Sequence, residues 1–151
     1  MTKDYQKSNS ITEVGKKRFR HKEFNILINS TDDNKERQRN AQVLLDYLCE
    51  KFDIPDVRIT ITDRKQPCRK NKLGHIRSKL YGLYYFDSCH IYIYNKTAIR
   101  EKVLSINVLT DTILHEFMHH YDVYYLGIKT TPHSAGFFSR INDLRLKLEE
   151  K

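Results

Sequence analysis

Two histidines and a glutamate carry the plainest chemistry in this sequence. They stand in the run His115-Glu116-Phe117-Met118-His119. On a helix, residues four apart lie on one face, one turn above the other, so both imidazoles reach a single ion. Neutral imidazole is a good zinc ligand at about 2.0–2.1 Å. A glutamate one residue after the first histidine points beside that ion rather than at it. There it can take a proton from a water that zinc has acidified to a pKa of about 7. The triplet thus offers two ligands and a general base. The plain alternative is a set of surface histidines on an amphipathic helix. A His-Glu-His cluster on a helix that has to pack needs partners, however, and a metal provides them.

Catalytic zinc usually takes three protein ligands and keeps a fourth position open. His133 is the expected third. It follows Gly127, which ends the helix, and a short loop with Pro132, and it opens the next helix. That placement lets the chain turn back and present its side chain to the first helix. Asp122 competes. Three residues after His119, it shares that face and is either a ligand or an acceptor for the free N–H of a ligating imidazole. His120 points off the face, towards packing or the substrate side. His21, His75 and His90 are isolated and expected to be structural or exposed. Cys68, Cys89 and His90 have no recognised metal spacing. A tetrahedral intermediate also needs an oxyanion donor beyond the metal. Tyr121, Tyr124, Tyr125 and His120 are the candidates close in sequence.

These residues need a scaffold. Val108, Leu109, Ile113, Leu114, Phe117, Met118, Tyr121 and Tyr125 wrap most of one helix, from a cap at Asn107 to Leu126. Such a helix is central rather than superficial. Gly127 is well placed to end it. Upstream, Asp32 and Asp33 can cap a helix over 34–52, where Ala41, Leu44, Leu45, Leu48 and Phe52 share a face. Pro55 ends that element. Val57, Ile59 and Ile61 alternate with polar residues, as a half-buried strand does. A polar loop is expected over 63–76. Two strands, Ser78 to Phe86 and His90 to Tyr94, flank the turn Asp87-Ser88-Cys89. A helical turn or two is expected over 96–106, and a short strand over Phe24 to Ile28. Ser134 can cap a last helix with the stripe Phe137, Phe138, Ile141, Leu144 and Leu148. The predicted class is α+β, with a small, mostly antiparallel sheet on a central helix and a helix at either end.

The chain has 151 residues, the size of one domain. Its 27 Lys and Arg against 19 Asp and Glu leave a net charge of +8. The longest apolar runs, such as Leu83 to Phe86, fall far short of the ~20 residues that a membrane-spanning helix needs. Seven Phe and ten Tyr can fill a core, so wholesale disorder is excluded. The first residues are polar, with no apolar run of the secretory kind. Three widely spaced cysteines form no disulfide framework, so the expectation is reduced thiols in a cytoplasmic monomer. Residues 1–22 are predicted to be a basic, flexible arm and 23–151 the folded domain. The run Lys16-Lys17-Arg18-Phe19-Arg20-His21-Lys22 and the basic residues of 64–72 are either solvated or in contact with DNA. In the latter case Phe19 is available to stack.

The motif and its spacing resemble a family. His115-Glu116-x-x-His119, then 13 residues, then His133-Ser134-Ala135-Gly136-Phe137 is similar to the pattern of the SprT-like zinc metallopeptidases. These include bacterial SprT proteins and the eukaryotic protease Spartan. The family's third zinc ligand opens a His-Gly-x-x-Phe/Trp segment leading into a helix, which His133 and Phe137 match. Ser134 stands for the usual Gly, Gly136 stands where an acidic residue is common, and no Cys-x-x-Cys ribbon is present. The resemblance covers roughly residues 35 to 148. It implies a minimal zincin-like fold and one zinc per chain, held by His115, His119 and His133. It further implies Glu116 as general base and peptide substrates that are DNA-associated proteins. The substrate is expected to lie along an edge strand near Ile91 to Tyr94.

Overall fold

The structure, a computed structural model, describes residues 2–70, 76–79 and 81–149. Among these residues the helices are α1 (Lys3–Ser10), α2 (Lys22–Ile28), α3 (Asn34–Phe52), α4 (Ile106–Tyr121) and α5 (Ala135–Glu149). The strands are β1 (Arg58–Lys65), β2 (Cys68–Lys70), β3 (Ile76–Lys79), β4 (Gly82–Tyr85) and β5 (His90–Lys96). The class is α+β, as predicted.

The three-stranded sheet has the order β1-β5-β4. β1 runs parallel to β5, while β4 runs antiparallel to it. The sheet is therefore mixed, which corrects the mostly antiparallel expectation. The chain leaves the sheet after β1 for the β2–β3 hairpin and re-enters through β4, a detour long enough for a parallel return. Ile59, Ile61, Ile91 and Ile93 form its buried face, against which α3 and α4 pack. The opposite face, with Thr60, Tyr92 and Tyr94, is half-exposed.

The two edges of this sheet are treated differently. Along β1, side chains of α3 take up the outward backbone groups. Gln38 and Gln42 accept from the N–H groups of Ile61 and Ile59 at 2.8 and 3.0 Å. Asn34 and Gln42 donate to the carbonyls of Ile61 and Val57. An edge sealed in this way cannot template another strand. β4 has no such cover among the described residues.

The central helix α4 starts at Ser105, whose hydroxyl accepts from Val108 N–H at 3.2 Å, and not at Asn107. It ends in a π-helical turn over Asp122–Leu126, closed by Gly127 at a left-handed φ of 71°. In α5, Ser134 caps as predicted by accepting from Phe137 N–H at 3.0 Å.

Several local expectations are corrected. Phe24 to Ile28 belongs to α2, because Phe24 and Leu27, three apart, both turn into the core. Ser78 to Phe86 is not one strand, since β3 pairs with β2 and β4 with β5. The polar loop of 63–76 carries the end of β1 and all of β2. Residues 71–75, with Lys72 and His75, lie outside the described residues. Residues 98–100 form a turn rather than a helix.

Residues 2–22 are packed and not a free arm. α1 lies against α5, and Val14 and Phe19 are buried in the core. The Phe19 ring sits 5.7 Å from that of Phe52, so it is not available to stack on a base. Arg20 pairs with Glu23 and lies over the ring of Tyr47. The charges around Val14 and Phe19 masked their apolar role. No helix among the described residues is long and apolar enough to cross a membrane.

Candidate metal centre

His115 and His119 share one face of α4, one turn apart, and the loop before α5 brings His133 to them. One ring nitrogen of each lies within 4.8 Å of the others, so the three side chains could hold a metal ion. His119 Nε2 and His133 Nε2 are 3.0 Å apart. Phe137 packs against the rings of His115 and His119, with centroids 5.1 and 4.8 Å away. Burial pushes the pKa of His115 down to about 4, helped by the charge of His133. Burial likewise pushes His119 down to about 3, with His115 and His133 adding to the effect. Both imidazoles are therefore neutral near pH 7 and have a lone pair to donate.

The tautomer of His119 is fixed from behind. Thr131 Oγ1 donates to Asp122 Oδ2 at 3.1 Å and lies 2.8 Å from His119 Nδ1. With its proton committed to Asp122, the hydroxyl accepts from Nδ1–H. That leaves the Nε2 lone pair facing His133. Asp122 is thus not a ligand. It is fully buried and bidentate to Arg140 Nη2, at 2.9 and 2.8 Å. Its support of His119 passes through Thr131.

Glu116 is 8% exposed and lines the same cavity as the three histidines. Burial raises its carboxyl pKa to about 7. The cavity has a volume of about 830 Å³, and Tyr81, Leu83, Phe86 and Val108 form its apolar wall. β4 borders it. Tyr94 N–H donates to Tyr81 C=O at 3.2 Å, which makes those two a hydrogen-bonded pair. By the alternation of an antiparallel ladder, the N–H and C=O of Gly82 and Tyr84 point away from β5. β5 itself lies between β1 and β4, so Ile91 to Tyr94 is not an edge, contrary to expectation.

None of the four oxyanion candidates lines the cavity. Tyr121 is fully buried, and its hydroxyl accepts from Gly15 N–H. The Tyr125 ring packs on Phe52, and Tyr124 OH pairs with Cys89 Sγ. His120 is fully buried with both nitrogens engaged. Nε2–H donates to Pro55 C=O at 2.6 Å, and Nδ1 accepts from Tyr84 OH at 2.7 Å. His21 bonds the Leu148 carbonyl, and His90 bonds Thr60 and stacks on Tyr92.

Three supporting residues have no counterpart in the sequence reading: Thr131, Arg140 and Ser8. Arg140 had a legible signal, because it sits on the apolar stripe of α5, three residues after Phe137 and four before Leu144. An arginine there requires a buried acid. Thr131 and Ser8 had none, since their roles depend on a loop and a chain end meeting in space. Neither a family model, nor a curated protein, nor a solved structure matches this chain.

Proposed function

We propose that this protein is a zinc-dependent endopeptidase of minimal zincin-like architecture. One observation carries the reading. Three histidines and a buried glutamate share one cavity, and no fourth protein ligand joins them among the described residues. Three imidazole ligands suit zinc. When bound, zinc would polarise a carbonyl and acidify water. Glu116, buried beside the three histidines in the same cavity, is placed to accept a proton from the attacking water and pass it to the leaving amine. The open edge of β4 offers Gly82 and Tyr84 backbone groups to an extended peptide, which would pair as an added strand. Tyr84 OH is held by His120, so Tyr81 is the cavity phenol without a hydrogen-bond partner among the described residues, and it is the candidate to donate to a developing oxyanion.

The alternative is a zinc-stabilised nucleic-acid-binding module without catalysis. Such a site would be closed by a fourth protein ligand and has no use for Glu116. Asp122, the natural fourth ligand, is turned to Arg140 instead. A DNA-associated substrate is the part of the proposal that rests on charge alone, on the +8 balance and exposed Lys16, Lys17 and Arg18.

The test is elemental analysis of wild type and His133→Ala, beside a peptidase assay with and without DNA. About one zinc per chain, lost in the variant, with cleavage by wild type and none by Glu116→Gln, is the expected result. Zinc retained in His133→Ala, or full activity in Glu116→Gln, would overturn it.

A further inference from the structure

The loop that presents His133 is bracketed by residues from the other end of the chain, 119 to 127 positions away. Asp4 Oδ2 accepts from both the N–H and the hydroxyl of Thr130, at 3.2 and 2.8 Å. Ser8 Oγ and Ser134 Oγ are 2.7 Å apart. Asn9 Oδ1 accepts from Gly136 N–H at 3.4 Å, and Lys7 Nζ donates to the Leu126 carbonyl. α1 thus grips the loop on both sides of His133. The fit is tight, because a Cβ at Gly136 would lie 2.1 Å from the Ser8 carbonyl oxygen.

The same helix reaches His119. Arg140 Nη1 donates to the carbonyls of Ser8 and Ile11 at 2.7 and 2.6 Å, and Nη2 donates to Ser8 Oγ at 3.1 Å. Arg140 holds Asp122, Asp122 holds Thr131, and Thr131 orients the His119 ring. Thr131 is moreover a β-branched residue at a φ of 34°. Such a conformation is strained and persists only where the surroundings over-determine it. Bonds from Asp4 to its preceding neighbour, and from Asp122 to its own hydroxyl, supply that constraint.

We propose that α1 is a positioning element of the metal centre, in which Asp4 and Ser8 set His133 and, through Arg140, Asp122 and Thr131, set His119. The inference rests on the metal-binding half of the function proposed above. Ligands held rigidly lose less freedom on binding than ligands on a loose loop, so a centre without this brace binds its ion more weakly.

The experiment is zinc affinity by chelator competition, together with the cobalt(II) absorption spectrum, on the full chain. Asp4→Ala/Ser8→Ala should bind zinc tenfold or more weakly, with a cobalt spectrum shifted towards that of His133→Ala. Gln6→Ala, on the exposed side of α1, should stay within twofold of wild type. Asp4→Asn, which keeps an acceptor, should recover most of what Asp4→Ala loses. If the double variant does not fold, Asp4→Ala alone should lose at least threefold. Wild-type affinity and an unchanged spectrum in the braceless variants would overturn the inference while leaving the zinc site intact. A wild type that binds no zinc would overturn the metal reading itself.

Discussion

His119 and His120 are consecutive residues on α4 with opposite surroundings. On the packed side, His120 is fully buried and both ring nitrogens are bonded, to Tyr84 and to Pro55. On the cleft side, His119 has one nitrogen held by Thr131 and the other facing His133. Glu116 and Asp122 repeat the contrast. Asp122 is enclosed by Arg140 and Thr131, whereas Glu116 has no hydrogen-bond partner among the described residues. The two sheet edges do so again, β1 being sealed by α3 and β4 having no such cover among the described residues. A folded chain satisfies nearly all its buried polar groups. Among the described residues, the side of α4 that faces the cavity and the neighbouring strand β4 both keep bonding capacity in reach of the cavity, which suits that side to meet something else.

The contrast can be broken from either side. The largest effect is expected at Glu116→Gln, which should lower peptidase activity by about 10²–10⁴ while zinc content stays at the wild-type level. Activity and metal lost together would mean that Glu116 serves the site's structure instead. On the packed side, Arg140→Met leaves Asp122 buried and unpaired. It should destabilise the fold by roughly 3–5 kcal/mol in denaturant titrations and weaken zinc binding as well. His120→Phe should cost about 1–3 kcal/mol, because Tyr84 OH and the Pro55 carbonyl lose their partner, yet its zinc affinity should match wild type. A fall in affinity there would erase the distinction between the two sides.

The smallest effect concerns pH in the metal-free protein. Glu116 ionises near pH 4.5 when unfolded and near 7 when folded, so the folded state binds the extra proton in between. Its burial is therefore harmless below pH 4.5 and increasingly destabilising as the pH rises to 7. Metal-free Glu116→Gln should melt a few degrees (about 2–8) above wild type at pH 8, and the gain should vanish below pH 4.5. His115 and His119 act in the opposite sense. Their folded pKa values are depressed below 6.5, so their contribution is intact above that pH and is lost as the pH falls towards 4. Thermal melts across pH 4–8 on the two proteins separate these contributions.

Much of the centre was legible because its signals are local. Four-residue spacing sets His115 and His119 on one helical face, and Glu116 follows from the same geometry. The apolar residues around α4 predict that it is central, and Gly127 and Ser134 mark where it ends and where α5 begins. The α3 helix was equally plain, as its caps and apolar stripe lie within one segment. The errors fall where local signals are weak or conflict. Short apolar runs such as Phe24 to Ile28 fit a strand or a helix equally well, and only the surface they meet decides between them. Val14 and Phe19 sit among charges, and nothing nearby in sequence says that a core awaits them.

The sequence by itself determined the two-histidine face, the buried glutamate beside it and the α+β class, because each depends on periodicity within one element. The sequence also named His133 as the expected third ligand, and the structure brings it to the pair. Only the tertiary structure decided that Asp122 supports through Thr131 and does not ligate, and that β4 rather than β5 is the edge. It alone decided that α1 braces the loop. The sheet order and the brace are meetings of segments distant in the chain, and the turn from Asp122 to Thr131 depends on how a loop folds back; all are fixed by packing and by the need to pair buried polar groups.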